Sequence, residues 1–172
     1  MKLLSNWGIT TSWWRGTRGE YWVIAQGLLL LVFALIPPNT PSFIDVCLSV
    51  WVYTSWISTV IFSILAIVFL GRSLFDLDRN LTPLPHPRDE GQLVKTGIYG
   101  LVRHPMYSGV VYLALAYASW QMSWVHLVGS IVLFVFFDAK SKKEEVWLIE
   151  KFSDYASYSN SVKKLIPWIY SL

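Results

Sequence analysis

The chain has 172 residues, of which 54% are hydrophobic and only 15% are charged, and its mean hydropathy is +0.45. Ordinary soluble domains carry roughly 25% charged residues, so this composition indicates a small multi-pass membrane protein. The formal net charge is +3, but the basic residues fall into three groups separated by apolar runs. We therefore expect one domain spanning residues 1–172 and no nucleic-acid partner.

Residues 1–70 are predicted to form the N-terminal spans. Residues 1–20 are rich in tryptophan and lack the features of a cleaved signal peptide, so they indicate a segment at the headgroup level. The apolar run Tyr21–Ile36 is a short first span interrupted by Gln26, and a proline-rich turn follows it. The run Phe43–Leu70 is longer than the hydrocarbon core, so it should tilt or protrude.

Residues Gly71–Thr96 are predicted to form the main inner loop. The loop is charged and contains an extended piece with three alternate prolines. His86 lies between two of these prolines without a cysteine or acid at ligand spacing. We therefore interpret it as a loop residue, and we predict no metal site in the chain.

Two further apolar runs predict a helical hairpin. They are Met106–Trp120 and Trp124–Phe137, and each is short for a complete span. His126, near the tip of the hairpin, is predicted to be an interfacial side chain. Four residues of the following amphipathic stretch, Ala139–Ser161, share one helix face by their spacing: Glu144, Leu148, Phe152 and Tyr155. Residues 166–172 are predicted to be a second interfacial anchor.

The distribution of charge predicts the orientation of these segments. If each apolar run crosses the bilayer once, every lysine and arginine lies on one side, which is the positive-inside pattern. The sequence thus predicts an all-α polytopic membrane bundle of about four spans, with a cytosolic amphipathic C-terminal helix. Both termini and the functional site are expected in the cytosol, where anionic membrane lipids are the expected surface partner.

Residues 97–109 combine glycines, tyrosines, an arginine, a histidine and a proline immediately before an apolar run. Pro105 suits the first position of a helix, which makes His104 the N-cap. The free amides and the positive dipole end of such a helix favour an anion. A capped helix start with interfacial side chains explains the same residues equally well.

Two polar groups flank the predicted hairpin and should meet at its inner end. One consists of Tyr99, Arg103, His104 and Tyr107, and the other consists of Lys140, Glu144 and Glu145. A helix N-terminus, a carboxylate and tyrosine faces would suit a zwitterionic amino-acid group with a nearby cation. A solvated helix face is the alternative interpretation of the glutamates.

The C-terminal half resembles the isoprenylcysteine carboxyl methyltransferase group, which belongs to a wider set of membrane methyltransferases that includes the phospholipid N-methyltransferases. The resemblance covers roughly residues 80–168, and it is specific because two separate strings occur together. The first string runs from Gly91 to Tyr99 and then through Arg103-His104-Pro105-Met106-Tyr107-Ser108-Gly109. The second begins at Glu144-Glu145 and continues through Leu148, Phe152, Tyr155, Tyr158 and Ile166-Pro167.

This resemblance implies S-adenosylmethionine as the methyl donor, bound at the cytosolic face by residues 71–172. It also implies a lipophilic acceptor, lipid-like or of the prenylcysteine type, that arrives sideways from the bilayer. Glu144 would hold the amino group of the cofactor. The other residues implied to bind the cofactor are Gly91, Gln92, Leu93, Val94, Tyr99, His104, Pro105, Met106 and Tyr107.

The chain departs from the family pattern at three places. Lys140 replaces a substrate-side arginine, Gly91 replaces a histidine, and the loop between Phe152 and Tyr155 is one residue shorter. Lysine keeps the positive charge but loses the bidentate fork for a carboxylate.

The candidate catalytic residues depend on the acceptor, which the sequence leaves open. A carboxylate acceptor needs a cation, and Lys140 or Arg103 could supply it. An amine acceptor must be unprotonated and would need an acid such as Glu145 nearby. Three other functions also remain open: a phospholipid N-methyltransferase, an NADPH-dependent sterol-reductase-like protein and a non-catalytic membrane scaffold.

Overall fold

The computed structural model describes residues 19–40, 48–77 and 91–167. These residues form helices and no strand, which confirms the predicted all-α class. A short 3₁₀ helix, Gly97–Gly100, precedes the helical hairpin. The α-helices of the described residues are α1 (Glu20–Leu35), α2 (Leu48–Leu77), α3 (Pro105–Trp120), α4 (Trp124–Lys151) and α5 (Tyr155–Ser161).

The long helices lie side by side in the order α2, α3, α4, α1. The segments Val50–Leu77 and Trp124–Lys151 are long and apolar enough to cross a membrane, and α1 is a shorter apolar helix. Both long helices expose isoleucine and valine side chains along their outer faces. Such an exposed apolar surface fits a lipid environment, while the number of spans stays a prediction.

Close packing places the end of α2 beside the start of α3. A Cβ at Gly109 would lie 2.7 Å from Leu70 Cγ, so the missing side chain lets the two helices approach. One turn along, the Tyr112 ring meets Phe69 edge to face, with centroids 5.2 Å apart. The polar start of α3 is therefore fixed against the last turns of α2.

Two predicted boundaries are wrong. Helix α2 continues through Gly71 to Leu77, so the first part of the predicted inner loop is helical. Helix α4 runs without interruption to Lys151, so the second arm of the hairpin and most of the predicted amphipathic stretch are one helix. Both corrections have the same cause, because a lone glycine or a change of polarity does not break a helix.

The prediction for His126 is also wrong, because this side chain is only 1% exposed. Its Nδ1 lies 2.9 Å from Ser123 Oγ, and its Nε2 lies 3.2 Å from the Phe33 carbonyl oxygen. The imidazole can be buried because both ring nitrogens have hydrogen-bond partners. It joins the start of α4 to the end of α1.

Several predictions concern residues outside the described part of the chain. They are the interfacial segment up to residue 18, the prolines and His86 of the inner loop, and most of the anchor at 166–172. The division at residue 70 and the cytosolic orientation stay predictions.

Candidate functional site

Helix α3 starts at the residue that the sequence predicts. Pro105 is the first helical residue and His104 is the N-cap, with φ −125° and ψ 62°. We call Arg103, His104 and the first turn of α3 the corner. The C-terminal segment supports it, since the amides of Arg103 and His104 donate to the carbonyls of Lys163 and Lys164 at 2.8 and 3.1 Å. The free amides of the first turn of α3 are thereby held in one place, where they favour an anion.

The 3₁₀ helix positions Tyr99 beside this corner. Gly97 has φ +63°, a conformation that favours glycine, and the Ile98 amide donates to Asp76 Oδ2 at 2.7 Å. The Tyr158 hydroxyl donates to the Tyr99 carbonyl at 2.6 Å. Contacts from α2 and α5 therefore fix the position of Tyr99.

A cavity of about 270 Å³ lies at this end of the bundle. Its volume is near the lower end of the range for small-molecule sites. The structure brings every residue predicted to bind the cofactor into its wall, together with two of the predicted catalytic residues. These lining residues are Gly91, Gln92, Leu93, Val94, Tyr99, His104, Pro105, Met106, Tyr107 and Glu144, with Arg103 and Lys140.

Glu144 and Tyr107 connect the two polar groups inside the cavity. The Tyr107 hydroxyl donates to Glu144 Oε2 at 2.8 Å, and His104 Nδ1 lies 3.7 Å from the same oxygen. The Tyr107 ring is stacked against both the His104 and the Phe137 rings, with centroid distances of 5.5 and 4.9 Å. The site thus combines a fixed carboxylate with an immobilised aromatic face.

Arg103 and Glu145 are turned mainly toward each other. Arg103 Nε donates to Glu145 Oε1 at 2.8 Å, and Arg103 Nη1 donates to the Ser159 and Val162 carbonyls at 2.8 and 2.6 Å. His104 Nε2 lies 2.9 Å from the same Glu145 oxygen. Glu145 does not line the cavity. This pair therefore braces the corner and the end of α5 against α4.

Lys140 is buried, with 2% exposure, and its ammonium group has neutral contacts. Nζ donates to Gln26 Oε1 at 2.6 Å and lies 4.9 Å from the Tyr107 ring centroid. Among the residues that the structure describes, no carboxylate lies within 4.0 Å of Nζ. The cavity therefore contains a buried cation that lacks a carboxylate within ion-pair distance in the described part of the chain, while Glu144 acts on it from farther away.

Sequence reasoning left several lining residues out of the predicted site. Gln26 could have been predicted from the sequence, because a polar residue inside an apolar membrane helix is often functional. The predicted shared face of Glu144, Leu148, Phe152 and Tyr155 does converge on the cavity, although the helix ends before Phe152. The lining residues left out are Val23, Gln26, Leu77, Leu148, Phe152, Tyr155 and Tyr158.

Three tyrosines around the site stay neutral at physiological pH. Burial raises the pKa of Tyr99, Tyr155 and Tyr158 well above the ordinary value, and nearby carboxylates add to the rise. The Tyr155 hydroxyl is buried and finds no hydrogen-bond partner within the described ranges. Because such groups are nearly always satisfied, this phenol is suited to contact a bound ligand.

Comparisons with known proteins match this part of the chain. The family model described as "Phospholipid methyltransferase" matches residues 54–155, which is more than half of the chain. The matched segment begins in α2 and ends at the start of α5, so it includes the corner, the hairpin and the paired glutamates.

Curated relatives carry related descriptions. Protein-S-isoprenylcysteine O-methyltransferase of Saccharomyces cerevisiae is 42% identical over 79 residues, which cover 45% of this chain and 33% of that protein. The Schizosaccharomyces pombe protein of the same name is 39% identical over 79 residues, covering 45% and 34%.

A protein of Oryza sativa subsp. japonica, described as "Probable protein-S-isoprenylcysteine O-methyltransferase", is 28% identical over 152 residues, covering 84% of this chain and 77% of that protein. The matches thus span about a third of the two yeast relatives and about three quarters of the rice protein. Because the family model matches more than half of its length, the chain belongs to the phospholipid methyltransferase family. This is a family of methyltransferase enzymes that includes the isoprenylcysteine carboxyl methyltransferases.

Proposed function

We propose that the chain is an integral-membrane, S-adenosylmethionine-dependent methyltransferase that methylates the carboxylate of a prenylcysteine-type acceptor. One observation carries this proposal. A single cavity collects a carboxylate, immobilised tyrosine rings and a buried ammonium without a paired anion among the described residues. The names of the curated relatives support the same acceptor class.

The residues of the cavity fit the cofactor. Glu144 can accept hydrogen bonds from its amino group, and the first turn of α3 favours its carboxylate. The face of Tyr99 favours a positively charged sulfur, while Leu93 and Val94 provide an apolar wall. The Tyr155 hydroxyl offers one more hydrogen bond.

Lys140 is the cation best placed to hold the acceptor carboxylate. Burying a charge without a paired anion is unfavourable, so a carboxylate beside Nζ would relieve this cost. Arg103 is less suited, since Glu145 and two carbonyls already use its Nε and Nη1 groups. Lys140 attracts a carboxylate but offers no charge attraction to an amine, which must be neutral to react, so the site favours O-methylation.

When bound, the cofactor supplies an electrophilic methyl group on its sulfonium. The protein's contribution is to orient the two reactants and exclude water, and orientation alone can contribute about 7–11 kcal/mol. A carboxylate needs no general base. The neutral phenols fit this requirement, because the raised pKa of Tyr99 prevents it from serving as a base near pH 7.

The surroundings of the site suit a lipophilic acceptor. The cavity lies at the end of the bundle where α1 begins and α2 ends, and the outer faces of the neighbouring helices are apolar. We place this end in the cytosol by the positive-inside rule. The prenyl chain would stay in the lipid while the carboxylate reaches Lys140.

The decisive experiment incubates membranes containing the chain with methyl-labelled S-adenosylmethionine and follows the label. Incorporation into a base-labile ester supports the proposal, whereas a stable N-methyl lipid would indicate the phospholipid type of activity. Titration of the detergent-solubilised chain with S-adenosylmethionine and, separately, with NADPH distinguishes a methyltransferase from a reductase-like protein or a scaffold. NADPH binding in place of S-adenosylmethionine would indicate a reductase-like protein, and binding of neither would indicate a scaffold.

A further inference from the structure

Gln26 lies where α1 borders the cavity, and we propose that it is a positioning residue that aims the Lys140 ammonium at the acceptor carboxylate. Its amide oxygen lies 2.6 Å from Lys140 Nζ, and its side chain lines the cavity. Helix α1 thereby helps to determine which acceptors the enzyme selects. This inference rests on the proposed function, because it needs an acceptor that carries a carboxylate.

Two aromatic contacts fix the register of α1 against α4. Near its start, the Trp22 ring lies 5.5 Å from the Phe136 ring, and near its end the Phe33 ring meets His126 edge to face at 5.0 Å. Gln26 lies between these contacts, and it is seven residues before Phe33, on the same helix face. The approach of Gln26 to Lys140 is thus part of the packing of α1.

The chemistry of an amide suits this position. An ammonium group has three donors, of which one goes to Gln26 Oε1. The amide oxygen is neutral, so it restricts the direction of the remaining donors without adding a negative charge beside Nζ. A carboxylate at position 26 would pair with Lys140 and compete with the acceptor, whereas an apolar residue would leave the flexible lysine without an orienting partner.

A lysine needs a partner if its ammonium group is to be held in one direction. A guanidinium holds a carboxylate through a planar fork, whereas a lysine ammonium is a rotatable point charge. The Tyr107 ring on one side and Gln26 on another restrict the ammonium to a small region. Gln26 thus supplies directional control that a lysine ammonium by itself does not have.

The test measures kcat, the acceptor KM and the dissociation constant for S-adenosylmethionine, using the full chain in lipid nanodiscs. The acceptor is an N-acetyl-S-prenylcysteine. Because Gln26→Leu removes a hydrogen bond to a charged group, it should raise the acceptor KM about tenfold while the cofactor dissociation constant stays unchanged. Cofactor binding also reports that the variant is folded.

Gly27→Ala is the matched control. Gly27 is the next residue of the same helix, and an added Cβ there would meet nothing within 4 Å. It should leave all three quantities unchanged. Gln26→Glu should raise the acceptor KM as well, since the new carboxylate would occupy the ammonium.

A double-mutant cycle shows whether Gln26 acts through Lys140. In a Lys140→Met background, adding Gln26→Leu should produce no further rise in acceptor KM. An unchanged KM in Gln26→Leu, or an equal loss of cofactor affinity, overturns the inference while leaving the proposed function intact. Absence of ester formation by the wild-type chain, with the cofactor bound, overturns the proposed acceptor and this inference together.

Discussion

The Tyr107 hydroxyl donates to Glu144 Oε2 across 2.8 Å, and this contact joins the first turn of α3 to α4. The two residues are 37 positions apart in the chain. Their contact places a carboxylate, a phenol ring and a helix N-terminus on one side of the cavity. That arrangement is the physical basis for expecting a zwitterionic ligand with a cationic centre.

The first prediction concerns the charge of Glu144. Glu144→Gln should weaken S-adenosylmethionine binding by about 10- to 100-fold, since a hydrogen bond to a charged group contributes about 1.5–3 kcal/mol. Calorimetric titration in detergent measures the change. Glu150→Gln is the control, because it removes an exposed carboxylate from the same helix. Equal affinity in the wild type and Glu144→Gln would contradict the assigned role.

The second prediction compares two tyrosines of α5. Tyr155→Phe removes a buried hydroxyl without a partner in the described residues, so thermal stability without cofactor should stay the same or rise. Tyr158→Phe removes the donor to the Tyr99 carbonyl and should lower stability by about 1 kcal/mol.

Cofactor titration completes this comparison. If the Tyr155 hydroxyl contacts the cofactor, Tyr155→Phe should lower affinity by up to about tenfold without destabilising the protein. A loss of stability in Tyr155→Phe, or unchanged affinity, would show that the hydroxyl has a different partner.

The third prediction concerns Gly97. A side chain at φ +63° is strained, and a Cβ at this position would also collide with the Asp76 carboxylate. Gly97→Ala should therefore destabilise the protein by about 1–3 kcal/mol and reduce cofactor binding by displacing Tyr99. Gly71→Ala is the control, as its Cβ would meet nothing within 4 Å in α2. Matching thermal midpoints for the two variants would argue against the strained turn.

The fourth prediction separates bracing from substrate binding. Glu145→Ala should lower the stability of the folded chain by about 3 kcal/mol or more, because it leaves the buried Arg103 guanidinium without its carboxylate. Stability is measured by thermal unfolding in detergent. If Glu145→Ala abolishes methyl transfer while the thermal midpoint is retained, Glu145 has a direct role in the reaction and the bracing interpretation is wrong.

Local sequence determined much of this protein. Apolar runs predict the helices, Pro105 predicts the start of α3, and the two family strings predict the residues that line the cavity. The helices and the start of α3 depend on neighbouring residues along the chain, which is why the sequence alone reveals them, whereas the lining residues were implied by the family resemblance. The predicted ends of α2 and α4 were wrong because a lone glycine and a change from apolar to polar residues do not end a helix.

Only the tertiary structure decided how the individual polar side chains are paired. The partner of Lys140 is Gln26, 114 positions away, and Arg103 is paired with Glu145 across 42 positions. The burial of His126 and of the Tyr155 hydroxyl depends on the same packing. Helical periodicity specifies the face on which a side chain lies, but the register between helices determines what that face contacts, and register arises from packing that no single segment contains.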